Sequence, residues 1–258
     1  MPGATISDTL RASVTKPAKG LIKQFFATGL TRVLRGSENV VLWSYSRLEL
    51  SPFLIYQGYV QGKYPLPSTQ YKNQVNWYDP DVRGIIPVDH YKIRTDLLRR
   101  LKKEQGLSEE ERIRIKVNHN FSETVLSCAK PRGIKNHTWI TPQYVEAVIE
   151  LHNMGIAHSV EAYQNGILVG GLIGLSINGF FATLSLFHTV DNASKIAFCY
   201  LLQKLKDDRF LLHHCGDAGS WFTQYGMIPI ERGPFRKELM LAVTSPATFT
   251  PNAPVLVF

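Results

Sequence analysis

Long apolar runs are missing from this 258-residue chain. No stretch of 18 or more residues is both uncharged and apolar enough to cross a bilayer, which excludes a membrane-spanning helix. Cysteine is scarce: Cys128, Cys199 and Cys215 are the three, and none sits in a CxxC pair. They cannot build a disulfide framework. That suits a reducing compartment and a cytoplasmic protein, with each thiol packed as a small core residue. Acids are outnumbered: Asp plus Glu is 21 against 29 for Lys plus Arg, a formal net charge of +8. Charged residues are only 19% of the chain and hydrophobic ones 44%. This composition excludes a wholly disordered chain and supplies a sizeable core. No internal repeat is present.

The positive excess is uneven. Residues 1–36 hold Arg11, Lys16, Lys19, Lys23, Arg32 and Arg35 against Asp8 alone, so 6 − 1 gives +5 there and leaves +3 for the rest. A second basic run joins Lys92, Arg94, Arg99, Arg100, Lys102 and Lys103 against Asp96, and a third is Lys130, Arg132 and Lys135. Such patches concentrate polyanions by long-range attraction, or simply form a solvated surface. In 1–36, Leu21, Ile22, Phe25, Phe26, Leu30, Val33 and Leu34 recur at helical spacing beside the basic residues. Three readings compete for this basic amphipathic extension. It is an organelle transit peptide, a helix lying on a membrane or nucleic acid, or a helix packed on the domain.

From 37 to 92 the chain is Tyr- and Pro-rich, with Tyr56, Tyr59, Tyr64, Pro65, Pro67, Tyr71, Trp77, Tyr78, Pro80 and Pro87. Turns and short strands of a small N-terminal α/β domain are expected here, not long helices. A surface helix over 95–105 stops at Gly106, and an alternating strand follows at 112–117. Thr141 is a good N-cap and Pro142 a good first-turn residue for a helix ending at Gly155. Asn165-Gly166 and Asn178-Gly179 then separate three β-rich runs, a strong hairpin signal. Asp191 or Asn192 caps a helix over 193–206. A strand at 209–215, a helix near 217–225 and a strand at 227–232 complete the pattern. This order predicts an α+β fold with a mixed sheet over 93–245 and a tail at 246–258.

Several strings in order resemble one family. They are Tyr59-Val60-Gln61-Gly62-Lys63-Tyr64-Pro65, Trp77-Tyr78-Asp79-Pro80-Asp81 with Arg83-Gly84, and Val117-Asn118 with Phe121 and Cys128-Ala129. Asn136-His137-Thr138-Trp139-Ile140-Thr141, Gly155-Ile156-Ala157-His158-Ser159-Val160-Glu161 and Leu168-Val169-Gly170-Gly171 follow in register. Ser185-Leu186-Phe187 and Asn192-Ala193-Ser194-Lys195 complete the set. Over about residues 50–235 the chain resembles leucyl/phenylalanyl-tRNA–protein transferases. The resemblance implies a GNAT-like acyltransferase domain. It also implies transfer of Leu, Phe or Met from aminoacyl-tRNA to the α-amino group of a protein beginning with Arg or Lys, marking that protein for degradation. Aminoacyl-tRNA is then the co-substrate, no other cofactor is needed, the acceptor is a protein with an exposed N-terminus, and a monomer is expected.

The same resemblance assigns residues. An aminoacyl pocket falls to Leu172, Phe181, Leu184, Leu186, Leu201 and Leu205. Contacts to the tRNA or its terminal adenosine fall to Trp139, Ser194, Lys195, Arg99, Arg100 and Lys103. Without the resemblance, the apolar positions read as ordinary core and Ser194–Lys195 as a helix start. The reaction centre departs from the family. Its D-x-Q motif falls on His214 and Gly216, and the Glu of its G-E-S-M-F string becomes Leu184. Orientation alone can supply about 7–11 kcal/mol of barrier lowering, so a lost base does not abolish transfer. His214 is the candidate replacement base, with Asp217 to orient it; His213 must face the other way by strand alternation. The competing functions are a non-catalytic tRNA or N-terminus binder and a GNAT-type N-acetyltransferase. The second lacks a Q/R-x-x-G-x-G/A loop.

Overall fold

The computed structural model describes residues 50–67, 75–131, 138–254 and 256, without the side chain of Ser220. The 1–36 extension, Tyr71, Arg132, Lys135, Asn136 and His137 lie outside the described residues.

Helix α1 (Pro52–Val60) begins where Ser51 accepts from the Leu54 N–H at 3.3 Å, with Pro52 in the first turn. A two-stranded ribbon follows, β1 (Tyr64–Pro67) against β2 (Val75–Tyr78). Trp77 packs so tightly on α1 that a Cβ at Gly58 would lie 2.0 Å from its ring. The main sheet has seven strands. In chain order they are β3 (Val82–Ile86), β4 (Arg114–Val117), β5 (Ala157–Gln164), β6 (Ile167–Ile177), β7 (Phe180–His188), β8 (Leu212–His214) and β9 (Ile228–Glu231). In space the order is β4-β5-β6-β7-β8-β3-β9, with β7 and β8 parallel and every other pair antiparallel. The mixed α+β sheet is as expected, but β3, from the Tyr/Pro-rich stretch, lies inside it. The meander turns as predicted: Asn165 and Gly166 both take positive φ, 52° and 76°, which a two-residue hairpin of matching twist requires.

Helices cover both faces. On one face lie α2 (Thr95–Gln105) and α5 (Ala193–Asp207). Their residues Leu97, Leu101, Phe198, Leu201 and Leu205 join Val160, Leu172 and Phe181 of the strands in the main core. On the other lie α3 (Phe121–Ala129), α4 (Pro142–Asn153) and α6 (Arg232–Thr244). Thr141 caps α4 as expected, accepting from the Tyr144 N–H at 3.2 Å. Asn192 precedes α5 but makes no side-chain cap; it is held at φ 67° instead. The expected helix near 217–225 is a 3-10 turn (Ser220–Tyr225), and α1, α3 and α6 are helices that periodicity did not announce. The tail returns to the core: Phe249 stacks on Phe181 (5.4 Å between centroids), and Thr250 accepts from buried Lys204 at 2.8 Å.

Candidate active site

Strand β8 is three residues long, and its alternation sorts the two adjacent histidines. His213 faces α5: its Nε2 meets the Thr183 hydroxyl at 2.8 Å, and its ring lies 5.8 Å from Phe181 and 5.6 Å from Phe198. His214 faces α6 and the ribbon, 5.4 Å from Phe235, 5.9 Å from Tyr64 and 6.5 Å from Phe180. Both imidazoles are buried, and burial pushes both down to about 3. For His214 the nearby Arg83 charge and His213 add to the same direction. Each is therefore neutral throughout the physiological range. His214 is a weaker base than its residue type suggests, because its charged form is poorly tolerated.

Asp217 was expected to orient His214. It is exposed and accepts instead from the Tyr64 hydroxyl at 2.7 Å, while His214 Nε2 has no hydrogen-bond partner. Cys215, between them, packs toward the α5 side, and burial pushes its thiol up to about 12, so it carries no thiolate.

The expected pocket residues divide. Leu172, Phe181, Leu201 and Leu205 are fully buried in the core under α5, and Leu186 packs against them. Leu184 does not join them. It is the extra residue of a β-bulge between the Ile173–Ser185 and Gly174–Thr183 pairs, and it is half-buried.

The parallel pairing of β7 and β8 ends at Ala182–His214, yet β7 continues to His188. Among the described residues, no strand lies beside its edge from Thr183 onward. At the far end of that edge the α5 N-terminus presses on β6: a Cβ at Gly170 would meet Ala193 Cβ at 2.6 Å and Ser194 N at 3.0 Å. Ser194 is buried and its hydroxyl lies 3.3 Å from His188 Nδ1; Lys195 is half-buried. Trp139 is half-buried, edge-on to Tyr144 at 4.9 Å. Arg99, Arg100 and Lys103 are exposed on α2.

Beside His214 lies a buried arginine to which the sequence assigned no role. Arg83 on β3 is fully buried, ion-paired with Asp79 at 2.6 Å, with its guanidinium carbon 4.5 Å from the Phe235 ring centre. Its Nε and Nη1 have no hydrogen-bond partner. A lone arginine inside an otherwise apolar strand was the available signal.

The sequence profile of the family described as Leucyl/phenylalanyl-tRNA protein transferase matches residues 85–240. The chain belongs to this family. Two relatives named leucyl/phenylalanyl-tRNA--protein transferase show how evenly it matches. The protein of Herpetosiphon aurantiacus is 33% identical over 201 residues, 78% of this chain and 98% of its own length. That of Azotobacter vinelandii is 35% identical over 200 residues, 78% and 84%. The C-terminal domain of a putative lysylphosphatidylglycerol synthetase from Agrobacterium fabrum superposes with a TM-score of 0.36 at 9% identity, over 66% of this chain and 53% of that one. Among the described residues no helix is long and apolar enough to cross a membrane.

Proposed function

We propose that this chain transfers a hydrophobic amino acid from aminoacyl-tRNA to the N-terminal α-amino group of an acceptor protein, on a GNAT-like framework. The observation that carries the reading, given the family, is the parting of β7 from β8. It leaves the β7 edge beyond Ala182 without a partner strand among the described residues, at the half-buried Leu184 and Leu186, with Leu172 and Phe181 buried in the core and His214 buried at the end of the β8 pairing. The aminoacyl side chain lies along this edge, against Leu184 and Leu186, and the acceptor amine approaches from the His214 end.

The amine nitrogen attacks the ester carbonyl, the new amide C–N bond forms, and the ester C–O bond breaks. The amine loses a proton and the departing ribose hydroxyl gains one, so no net acid or base is consumed. An α-amino group has a reference pKa of about 7.7–8.0, so a useful fraction is already neutral at cellular pH. Holding that fraction against an activated ester supplies most of the barrier lowering. His214, kept neutral, accepts a hydrogen bond from the amine and positions it rather than storing its proton. The basic face of α2 and the α5 N-terminus hold tRNA phosphates, with Trp139 as a stacking surface for the terminal base.

The test is transfer of labelled Leu, Phe or Met from charged tRNA to peptides differing only in their first residue. Transfer to at least one peptide, abolished when its amine is acetylated, is expected. No transfer from any of the three charged tRNAs overturns the reading.

A further inference from the structure

The carboxylates around the His214 end of the sheet are not equally engaged. Asp79 and Asp81, between β2 and β3, are committed to the protein's own cations. Arg83, Arg236 and Arg232 reach Asp79 at 2.6, 2.7 and 3.4 Å, and Arg232 also takes Asp81 at 2.6 Å. Asp217, past the C-terminal end of β8, has no ion-pair partner among the described residues. It is exposed, and the neutral Tyr64 hydroxyl donates to its Oδ1 at 2.7 Å. Gly216 turns the chain there at φ 87°, and the Gly84 N–H holds that turn by donating to the Gly216 carbonyl at 2.9 Å.

Tyr64 links this carboxylate to the reaction centre. Its ring lies 5.9 Å from His214 on one side and stacks on Tyr78 on the other, 6.1 Å between centroids and 18° between planes. Tyr64 and Tyr78 are register partners at the end of the ribbon, and Tyr78 is exposed. A free carboxylate oxygen beside an accessible aromatic ring is a pairing that attracts a cation. One tyrosine side chain separates the His214 ring, where the amine is positioned, from the Asp217 carboxylate. An extended Lys or Arg side chain covers a comparable span from its own α-amino group. The Arg83 charge acts on Tyr64 as well, but Arg83 is buried and already paired with Asp79, whereas Asp217 faces water.

We propose that Asp217, with Tyr64 and Tyr78, holds the cationic side chain of an acceptor that begins with Arg or Lys. This rests on the transfer reaction proposed above and names the residues that select its acceptor. The positions where the family carries a carboxylate are Leu184 and His214 in this chain. A carboxylate three residues beyond His214 supplies the attraction those two positions no longer provide. Tyr64 orients it, and the Tyr78 ring offers its face to the same cation.

Binding and transfer are measured separately on the full chain, with fluorescent peptides that differ only in a first residue of Arg, its neutral isostere citrulline, or Glu. With charged tRNA at low salt, kcat/KM for the Arg peptide is expected to exceed that for the citrulline peptide about tenfold, the scale of an exposed ion pair plus a cation–π contact. Asp217→Asn, which keeps an acceptor for the Tyr64 hydroxyl, is expected to lower that ratio at least about threefold. Tyr78→Leu is expected to lower it about twofold. Asp217→Arg is expected to place the Glu peptide above the Arg peptide, a reversal that a merely structural residue would not produce. Thermal melting shows that each variant is folded, and anisotropy without tRNA reads the same ratios in binding alone. An Arg-to-citrulline ratio that Asp217→Asn leaves unchanged overturns the proposal, as does a wild-type chain that does not favour the Arg peptide. A binding preference that Asp217→Asn removes, with no transfer from any charged tRNA, overturns the transfer reaction but upholds the site. Transfer with an unchanged ratio does the reverse.

Discussion

Glu161 and Arg83 are both fully buried ionisable side chains on the same sheet, and the protein treats them in opposite ways. The Glu161 carboxylate accepts from the Asn120 N–H through both oxygens (2.9 and 3.0 Å), from the Ser159 hydroxyl (2.6 Å) and from the Tyr163 hydroxyl (3.0 Å). It fastens the start of α3 to β5, and nothing is left for a ligand to satisfy. Arg83 keeps one ion pair and leaves two nitrogens bare. A buried charge that is saturated holds the fold together; one left partly bare contributes less to it.

The largest effect follows from the saturated member. Glu161→Leu strands the Asn120 N–H, the Ser159 hydroxyl and the Tyr163 hydroxyl in the interior, each at about 1–3 kcal/mol. A loss of about 3 kcal/mol or more is expected, read as a lower urea midpoint. A loss under about 1 kcal/mol would break the distinction, because the four hydrogen bonds would then not matter to the fold.

Little of this contrast was legible in the sequence, and the reasons differ. The hairpins were readable because Asn-Gly turns are chemically specific over two residues. Helix α4 was readable because Thr141 and Pro142 announce its start. Helix α1 was hidden: its Tyr and Pro content suggested turns, although Ser51 and Pro52 carried the same start signal. The opposite orientations of His213 and His214 followed from strand alternation. The bulge at Leu184 could not be foreseen, since it depends on pairing with β6, and Leu184 does not join the core around Leu172 and Phe181. Asp217 looked like an orienting partner because it is three residues from His214, but Tyr64, 153 residues away in sequence, takes it in space. Long-range pairing of this kind leaves no local trace, and the bare nitrogens of Arg83 leave none either.

The two histidines form a third case: they are buried by giving up their charge. Their folded pKa, about 3, lies below the unfolded value of about 6.5. Below pH 6.5 the unfolded chain therefore binds protons that the folded chain refuses. The stability contributed is complete above about pH 6.5 and is lost as pH falls toward 3. Each histidine accounts for at most about 1.4 kcal/mol per pH unit in that window. Urea midpoints measured between pH 7 and 5 should fall, and His213→Phe should flatten the fall by about half. Identical slopes in the variant would mean that His213 charges freely in the folded protein.

Arg83→Met is expected to change stability least, by about 1 kcal/mol or less. The substitution forfeits the contact with Asp79 and the cation–π contact with Phe235, the latter worth about 0.5–2 kcal/mol. It also removes two unpartnered buried N–H groups at about 1–3 kcal/mol each, so the opposing effects nearly cancel. Asp79 is not stranded, because Arg232 and Arg236 still reach it. Replacing one partner of a buried ion pair is ruinous when the other is abandoned; here it is not. Methionine keeps the length of the side chain and its packing on Phe235. If urea unfolding shows Arg83→Met as damaging as Glu161→Leu, Arg83 is a fastener too.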